Sequence, residues 1–453
     1  MKNTWWFQRF TDYADRTFLV EGDTSYNYAA LTERIEAYHA AFTESGLQAG
    51  DVVALQGDYT LNGIAALFAL FGLKAIVAPI TATSPSERTL REEAAQAQWL
   101  VQAQQELSIQ PIAATSAPHD YVVRLKQTQH PGLILFSSGS TGTPKAMIHD
   151  VENLLAPFAH KRARRLCILI FLLYDHIGGL NTLFNGMATG AKIVVPASRD
   201  AHVVAQAIET HKVKLLPASP TFLNLFLMSG AAERYDLSSL RFITYGTEPM
   251  PESLLKRIKQ QLPDTALIQT FGTSETGITQ TISRSSESTL IKFDDPNTEY
   301  KIVDGELWMR SKSQILGYLN HEMSRFTAEG WFMTGDLVEE AQDGFLKITG
   351  RREELINVGG EKVTPSEVES VLLEMPEVAD CLVYGEPNAI TGHNVAAKIV
   401  PHAESDPRKL KRLIKQHCRQ QLSPYKVPVR ITFVDEAIFG ERFKKLRRPT
   451  QTN

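Results

Sequence analysis

The segment from Ser137 to Lys145 constrains the fold more than any other part of the 453-residue chain. It reads Ser-Ser-Gly-Ser-Thr-Gly-Thr-Pro-Lys and follows the apolar run 133–136, which is short enough to be a buried strand. Its glycines let backbone N–H groups approach an anion, its hydroxyls add donors, and its lysine adds a positive charge. The pattern predicts a phosphate-binding loop. It is not a Walker A loop, because Pro144 and Ala146 stand where that motif needs a glycine and a hydroxyl residue.

Composition indicates a globular protein with a large core. Apolar residues make up 43% and charged residues 22% of the chain. The 47 basic and 51 acidic residues give a net charge of −4, so we expect no nucleic-acid partner. The three cysteines lie far apart, which favours a reducing cytoplasm, and the N-terminus has no secretory pattern. The apolar run 63–80 contains Lys74 and Pro79 and predicts a helix followed by a strand, not a membrane span.

Hydrophobic periodicity predicts helices that alternate with buried strands, the pattern of a parallel α/β fold. Apolar residues at spacings of three and four predict a helix over 26–46, and 52–55 predicts a strand. A further helix is expected over 86–106. From about residue 288 short strands predominate, which predicts a small β-rich subdomain, and beyond Gly350 a tail of about 100 residues has its own helix pattern.

The loop pattern [ST]-[ST]-G-[ST]-T-G-x-P-K resembles the phosphate loop of the adenylate-forming superfamily, which includes acyl- and aryl-CoA synthetases, peptide-synthetase adenylation domains and firefly-type luciferases. The resemblance covers roughly residues 20–450. It implies an α/β N-terminal adenylation core with a small β subdomain over 1–350, and a small mobile α+β domain over 351–453 that carries the catalytic lysine. The loop residues that it implies in ATP binding are Ser137, Ser138, Gly139, Ser140, Thr141, Gly142, Thr143 and Lys145.

A second motif, residues 271–277, lies just past a predicted strand, where α/β proteins place ligand-binding residues. It resembles the family's [YF]-G-x-[TS]-E motif. The resemblance implies Phe271 beside the adenine, Ser274 at the α-phosphate and Glu275 as the Mg²⁺ ligand. A carboxylate suits this role because Mg²⁺ is a hard cation that prefers oxygen ligands. Further residues assigned to ATP on these motifs and on the weaker G-x-x-P match are Gly246, Thr247, Glu248, Pro249, Thr270, Gly272 and Thr273.

Two further motifs complete the implied nucleotide site. Residues 334–336 resemble the family's T-G-D motif, so Asp336 is expected to accept the ribose hydroxyls. The run beginning at Gly350 resembles G-R-x-[DK]-[DE], which implies that Arg351 reaches the nucleotide and that Glu353 is the hinge residue. Glu at that position departs from the family's Asp or Lys. The following residues Gly359 and Gly360, with Gly246 and Gly277, are expected to line the acid and thiol channel.

The resemblance implies a catalytic lysine, which is either Lys444 or Lys445. The family ends with P-[RK]-T-x-x-G-K-[IVL], but here the P-[RK]-T is absent and the preceding glycine is replaced. Alignment on Phe433-Val434-Asp435 favours Lys444, whereas alignment on the K-I-x-R pattern favours Lys445.

Residues 173–181 resemble the P-x-F-H-x-x-G-L segment of acyl- and aryl-acid CoA ligases and imply His176 at the mouth of the acid pocket. Tyr174-Asp175 imitates the aromatic-Asp pair with which adenylation domains bind an α-ammonium group. The spacing to Gly179 and Leu180 fits the histidine alignment, so we expect an acid without an α-ammonium group.

The expected reaction is ATP-dependent conversion of an aryl or fatty acid into an acyl-adenylate, with release of pyrophosphate, followed by transfer to the thiol of CoA. The cofactors are then ATP, Mg²⁺ and CoA. One alternative is transfer to the phosphopantetheine of a carrier protein acting in trans, and another is luciferase-like oxidation of the adenylate. The irregular lysine motif keeps open a nucleotide-binding relative without ligase activity.

Overall fold

Helices and strands alternate along the chain in the computed structural model, which describes residues 1–81, 84–104, 106–112, 117–137, 143–402, 406–436, 439–440 and 444–445. The helices are α1 (Trp5–Asp12), α2 (Tyr28–Glu44), α3 (Leu61–Gly72), α4 (Pro85–Ala95), α5 (Asp120–Thr128), α6 (Val151–Leu155), α7 (Ile177–Thr189), α8 (Ala201–His211), α9 (Pro220–Met228), α10 (Ala231–Arg234), α11 (Glu252–Gln261), α12 (Pro365–Leu372) and α13 (Pro407–Gln421). The strands are β1 (Thr17–Glu21), β2 (Thr24–Asn27), β3 (Val52–Gln56), β4 (Ile76–Ile80), β5 (Trp99–Ala103), β6 (Leu107–Pro111), β7 (Gly132–Ser137), β8 (Lys145–Asp150), β9 (Cys167–Leu169), β10 (Lys192–Val195), β11 (Leu215–Ala218), β12 (Phe242–Tyr245), β13 (Ala266–Gln269), β14 (Phe271–Thr273), β15 (Gly277–Thr279), β16 (Thr281–Ser283), β17 (Leu290–Phe293), β18 (Thr298–Val303), β19 (Glu306–Ser311), β20 (Gly317–Tyr318), β21 (Phe332–Glu340), β22 (Leu346–Arg351), β23 (Ile356–Val358), β24 (Glu361–Val363), β25 (Val378–Asn388), β26 (Gly392–Pro401) and β27 (Arg430–Phe433).

Local sequence explains most of these boundaries. Asn27 and Thr60 cap α2 and α3 by accepting hydrogen bonds from backbone N–H groups of the first turn. The run 63–80 forms most of α3 and then β4, as predicted, and no helix among the described residues is long and apolar enough to cross a membrane. The predicted helix over 86–106 is wrong beyond Ala95. Gln96 is left-handed with φ of 56°, and the next residues pair as β5 beside β3.

Two seven-stranded sheets form the N-terminal part within the described residues. Their strand orders are β13-β12-β11-β9-β10-β1-β2 and β20-β8-β7-β4-β3-β5-β6. Most neighbours in the first sheet are parallel, and β3, β4, β5 and β7 are parallel in the second. Parallel strands place all their carboxyl ends at one edge, where ligands bind in such folds. The α/β class predicted from the sequence is confirmed.

Three groups of helices pack against the two sheets, one of them between the sheets. Side chains of both sheets pack with those of α1, α2, α3 and α7 in one hydrophobic core, so these helices lie between the sheets. A second core joins the first sheet to α8, α9 and α11, and a third joins the second sheet to α4 and α5. Burial on both faces explains why the first four residues of the strand Val52–Gln56 are all apolar.

The remaining strands form two smaller sheets in chain order. An antiparallel sheet of order β16-β17-β22-β21-β19-β18 covers residues 281–351, as the short-strand pattern predicts. After the short helical turn Arg352–Glu354, the strands β23 to β27 and the helices α12 and α13 share a core of their own. We refer to the described residues between 351 and 445 as the C-terminal part.

Candidate active site

A cavity opens at the carboxyl ends of the first sheet's parallel strands, and we call it the acid cavity. Its walls come from the segment after β9, the start of α7, the ends of β11 and β12, and Lys444. The residues that line it are Phe171, Leu172, Leu173, His176, Gly178, Asn181, Thr182, Arg199, Pro217, Ala218, Ser219, Thr244, Gly246, Thr247, Thr270, Ile278 and Lys444. Apolar walls with a few polar groups are typical of a small-molecule site.

The neighbours Asp175 and His176 face different surroundings. His176 precedes α7 in extended conformation and lines the acid cavity. The buried Asp175 instead accepts hydrogen bonds from the backbone N–H and the hydroxyl of Thr81 and pairs with Arg91. Its carboxylate is therefore engaged inside the protein and does not face the cavity.

A close backbone approach shapes the floor of the acid cavity at Gly246. A Cβ atom on Gly246 would lie 2.6 Å from the carbonyl oxygen of Thr270, so a larger residue would displace that strand end. Thr247 follows in left-handed conformation with φ of 74°. The Glu248 side chain points elsewhere, because its Oε1 accepts a hydrogen bond of 2.8 Å from the N–H of Thr221 at the start of α9.

Residues 271–279 form a β-hairpin in which β14 pairs with β15. Glu275 lies in the turn, where its Oε1 accepts a hydrogen bond of 3.1 Å from the hydroxyl of Tyr318. Thr273 and Thr276 bond to each other, and a Cβ atom on Gly272 would lie 2.5 Å from the carbonyl oxygen of Gly277. The hairpin thus fixes the Glu275 carboxylate beside Tyr318.

The other two residues of this motif with an expected ligand role are Phe271 and Ser274. Phe271 is buried in the core of the small antiparallel sheet, with its ring 5.5 Å from that of Phe293. Ser274 is half-buried. The hydroxyl of Ser313 approaches Gly277, whose φ is 77°.

Asp336 and Arg351 lie opposite each other on β21 and β22. The Nε of Arg351 is 3.1 Å from Oδ1 of Asp336, which is almost fully buried. Burial raises the pKa of Asp336, and the positive charges of Arg351 and Lys444 act against that shift. The two motifs, separated in sequence, are therefore brought together within reach of Lys444.

The ends of the phosphate loop meet where β7 pairs with β8, because Ser137 is the partner of Lys145. Ser138, Gly139, Ser140, Thr141 and Gly142 lie outside the described residues. The Nζ of Lys145 is 2.8 Å from Nε2 of His321, so this ring nitrogen acts as the acceptor of the ammonium group.

The predicted hinge and thiol-channel residues lie in exposed turns. Glu353 belongs to the short turn that follows β22, and its carboxylate is 3.8 Å from the guanidinium of Arg325. Gly359 and Gly360 form the turn between β23 and β24 with φ of 62° and 97°, which other residues rarely adopt. Neither glycine lines the acid cavity.

The two candidate lysines point in opposite directions. Lys444 lines the acid cavity. Lys445 enters a separate small cavity between α9, α11 and the C-terminal part, which we call the junction cavity, where it contacts Glu369 and Asp380. Side chains of successive residues in extended backbone lie on opposite faces, which accounts for this difference.

Comparison with known proteins places this geometry in a family. A family model described as "AMP-binding enzyme" matches residues 6–319, which is more than half of the chain, and "AMP-binding enzyme C-terminal domain" matches residues 367–438. The chain belongs to the AMP-binding enzyme family. It therefore belongs to the adenylate-forming superfamily that the loop motif predicted.

Relatives and solved structures agree with this assignment. A 2-succinylbenzoate--CoA ligase of Bacillus licheniformis is 28% identical over 468 residues, which cover 95% of each chain. The 4-coumarate--CoA ligase-like 9 of Arabidopsis thaliana is 29% identical over 74% of this chain, but the match spans only 64% of the plant protein. The crystal structure of an anthranilate CoA ligase in complex with anthranoyl-AMP has a TM-score of 0.81 at 22% identity, with 96% and 93% of the chains covered, and this shows a shared fold.

Several groups of this AMP-binding enzyme's candidate site were not predicted from the sequence. In the acid cavity they include Asn181, Arg199 and Ser219. Arg199 and Ser219 follow β10 and β11, so their positions after predicted strands were the available signal. Tyr318 had no such signal, because its contact with Glu275 joins residues 43 positions apart.

Proposed function

We propose that this AMP-binding enzyme converts a carboxylic acid, aryl or fatty, into an acyl-adenylate with ATP and then transfers the acyl group to the thiol of CoA. The observation that carries the proposal is the position of Lys444 in a largely apolar acid cavity, which His176 also lines, within electrostatic reach of Asp336. The relatives' names support CoA as the acceptor, since they are CoA ligases acting on several acids.

In the first half-reaction, a carboxylate oxygen attacks the α-phosphorus of ATP, the bond from that phosphorus to the bridging oxygen breaks, and pyrophosphate leaves. The carboxylate and the α-phosphate are both anionic, so positive charge near the reacting phosphorus lowers the barrier. Lys444 supplies such a charge from the acid cavity, and Lys145 and Arg351 hold phosphate and nucleotide. Asp336 accepts the ribose hydroxyls, and His176 orients the acid.

Glu275 is the proposed Mg²⁺ ligand. Its half-buried carboxylate is oriented by Tyr318, and one carboxylate suits an ion that takes its other ligands from water and phosphate oxygens. Among the described residues, no group of three or more His, Cys, Asp or Glu side chains forms a separate metal site. Bound Mg²⁺ would neutralise phosphate charge.

In the second half-reaction, the thiol of CoA attacks the carbonyl carbon of the adenylate and AMP leaves. We propose that the C-terminal domain, residues 351–453, turns about Glu353 between the two steps and brings Gly359 and Gly360 to the thiol channel. The exposed turn that holds Glu353, between two sheets with separate cores, supports this proposal. The engagement of Asp175 with Thr81 and Arg91 supports an acid without an α-ammonium group.

Acid-dependent exchange of labelled pyrophosphate into ATP tests the first half-reaction. The acids are benzoates, fatty acids of several lengths and amino acids, each with and without Mg²⁺. We expect Mg²⁺-dependent exchange with an aryl or fatty acid and none with amino acids. Exchange only with amino acids would contradict the assignment of Asp175 and His176, and ATP binding without any exchange would contradict the ligase proposal.

The acceptor is tested by adding CoA or a phosphopantetheinylated carrier protein to the active acid. We expect thioester formation with CoA. Efficient transfer only to the carrier protein would reverse this part of the proposal.

We further propose a cytoplasmic location, because Cys167, Cys381 and Cys418 are all buried free thiols. Fractionation with an antibody against the protein would test it, and recovery from an oxidising compartment would contradict it.

A further inference from the structure

Lys445 forms a buried ion cluster in the junction cavity. Its Nζ donates to the carbonyl oxygen of Cys381 at 2.6 Å and lies 3.5 Å from both Glu369 Oε2 and Asp380 Oδ1. The exposed fractions of the three charged side chains are only 10%, 3% and 8%. The ammonium group thus has one backbone carbonyl as hydrogen-bond acceptor and two carboxylates as ion-pair partners. Such a buried lysine is held in one position.

The same cluster reaches from the C-terminal part to the N-terminal helices. The side-chain amide of Asn224 in α9 donates to Asp380 Oδ1 and to the carbonyl oxygen of Ala379, both at 3.2 Å. Arg257 in α11 donates to the amide oxygen of Asn224 at 3.3 Å. The side-chain amide of Asn224 thus connects Arg257 in α11 with the charged cluster in the C-terminal part.

The cluster is attached to the backbone that presents Lys444. Lys445 forms a β-bridge with Phe439, and the N–H of Gly440 donates to the carbonyl oxygen of Lys444 at 3.0 Å. Because neighbouring side chains in such backbone point to opposite faces, fixing Lys445 in the junction cavity directs Lys444 into the acid cavity. The motif P-[RK]-T-x-x-G-K-[IVL] has an aliphatic residue after its lysine, so it does not predict an ion cluster at this position.

We propose that Lys445 is a positioning residue, whose cluster with Glu369 and Asp380 holds Lys444 in the acid cavity and, through Asn224, holds the C-terminal part in the orientation used for adenylation. The proposal rests on the two-step function given above. Turning the C-terminal part must break the bond between Asn224 and Asp380, whereas Lys445 and Glu369 belong to the same part and can stay paired. The two contacts therefore have separable effects.

The test measures the two half-reactions separately in wild type, Lys445→Met, Asn224→Ala and the control Lys411→Met, whose lysine is exposed on α13. Adenylation is followed by pyrophosphate exchange, and transfer by thioester formation from preformed acyl-adenylate and CoA. We expect Lys445→Met to slow exchange by about tenfold to a hundredfold while transfer changes less than about threefold. Asn224→Ala should slow exchange less and leave transfer unchanged or faster. Equal loss in both half-reactions, or full exchange in Lys445→Met, would overturn the proposal.

A second variant guards against simple unfolding. Removing Lys445 alone leaves two carboxylates buried without a cation, whereas the triple variant Lys445→Met, Glu369→Gln, Asp380→Asn removes all three charges together. Circular dichroism compares their folding with wild type. If the triple variant is folded, it should still lose exchange more than transfer, and retained exchange in it would contradict the positioning role.

Amide hydrogen exchange provides a readout that needs no activity. In Lys445→Met the N–H of Gly440 should exchange at least about tenfold faster, while amides of the core strand β3 keep their rates. Unchanged protection of Gly440 would overturn the proposal. If wild type exchanges pyrophosphate with no acid but Gly440 responds as expected, the proposed function fails and the anchoring role of Lys445 stands.

Discussion

Two pairs of adjacent residues share one arrangement, in which one side chain lines the acid cavity and its neighbour is buried inside the protein. In the first pair His176 lines the cavity, whereas Asp175 is held by Thr81 and Arg91. In the second pair Lys444 lines the cavity, whereas Lys445 is held by Glu369 and Asp380. Each pair thus contains one side chain that can meet a ligand and one that is already bound inside the protein.

Lys444 and Lys445 are the same residue type, so the difference between them is one of surroundings. A buried charge with partners stabilises the fold only in their company, and removal of one member leaves the other charge uncompensated. A charge at a cavity wall can instead respond to what binds there. We therefore expect substitutions of the cavity members to change activity with little change in stability. Substitutions of the inner members should change stability, and Lys445→Met should also slow adenylation because Lys445 positions Lys444.

Replacement of Lys444 by Met should give the largest effect. Loss of one preorganised positive charge at the reacting phosphate is expected to slow pyrophosphate exchange by about 10²–10³-fold, or about 3–4 kcal/mol. The melting temperature should stay within about 1 °C of wild type, because a cavity-wall side chain contributes little to the core. Exchange kinetics and calorimetry measure the two quantities.

The matched control for Lys444→Met is Lys411→Met on α13, which should change neither quantity. If Lys444→Met retains exchange while Lys445→Met abolishes it with an intact fold, the roles of the two lysines are reversed.

Asp175→Asn should destabilise the protein by about 3 kcal/mol. It removes the charge partner of Arg91, whose side chain is only 13% exposed, and leaves the guanidinium with the more exposed Glu87. Urea unfolding measures the effect, with Asp264→Asn in an exposed loop as the control. If Asp175→Asn raised or lowered the activity with amino-acid substrates without loss of stability, this would show that Asp175 faces the acid.

Sequence patterns predicted much of the fold and part of the candidate site. The strand before Ser137, the helix α2 and the tail helices follow from local periodicity and caps, which act over a few residues. The helix predicted over 86–106 ended early because pairing of β5 with β3 outweighed its local preference.

Contacts between residues far apart in sequence limited how much of the candidate site could be predicted. Neighbouring Lys444 and Lys445 fit two alignments almost equally well, and the contacts that separate them come from residues far away in sequence. The contact between Asn224 and Asp380 joins residues 156 positions apart, which no local pattern reveals.

A third prediction concerns His149, another titratable side chain that is buried inside the protein. Complete burial lowers its pKa to about 4, while its ring contacts the carbonyl oxygen of Ser313. The unfolded chain takes up this proton near pH 6.5, so stability is full above that pH and falls as the pH drops towards 4. The loss from this residue should be about 2 kcal/mol between pH 7.5 and pH 5.

Comparing urea midpoints of wild type and His149→Asn across this pH range isolates that contribution. The variant should be less stable at pH 7.5 yet lose about 2 kcal/mol less on acidification. Parallel curves for the two proteins would contradict a neutral buried His149.

His176→Ala should give the smallest of these effects and completes the comparison with Asp175. Because His176 lines the cavity without carrying the reacting charge, its loss should raise the KM for the acid by about tenfold and change kcat much less. Initial rates of pyrophosphate release at varied acid concentration measure both constants, with the exposed His393→Ala as the control. The melting temperature should remain that of wild type. A fall in stability as large as that of Asp175→Asn, with an unchanged KM, would mean that both members of this pair serve the fold and that the acid is oriented by other residues of the cavity.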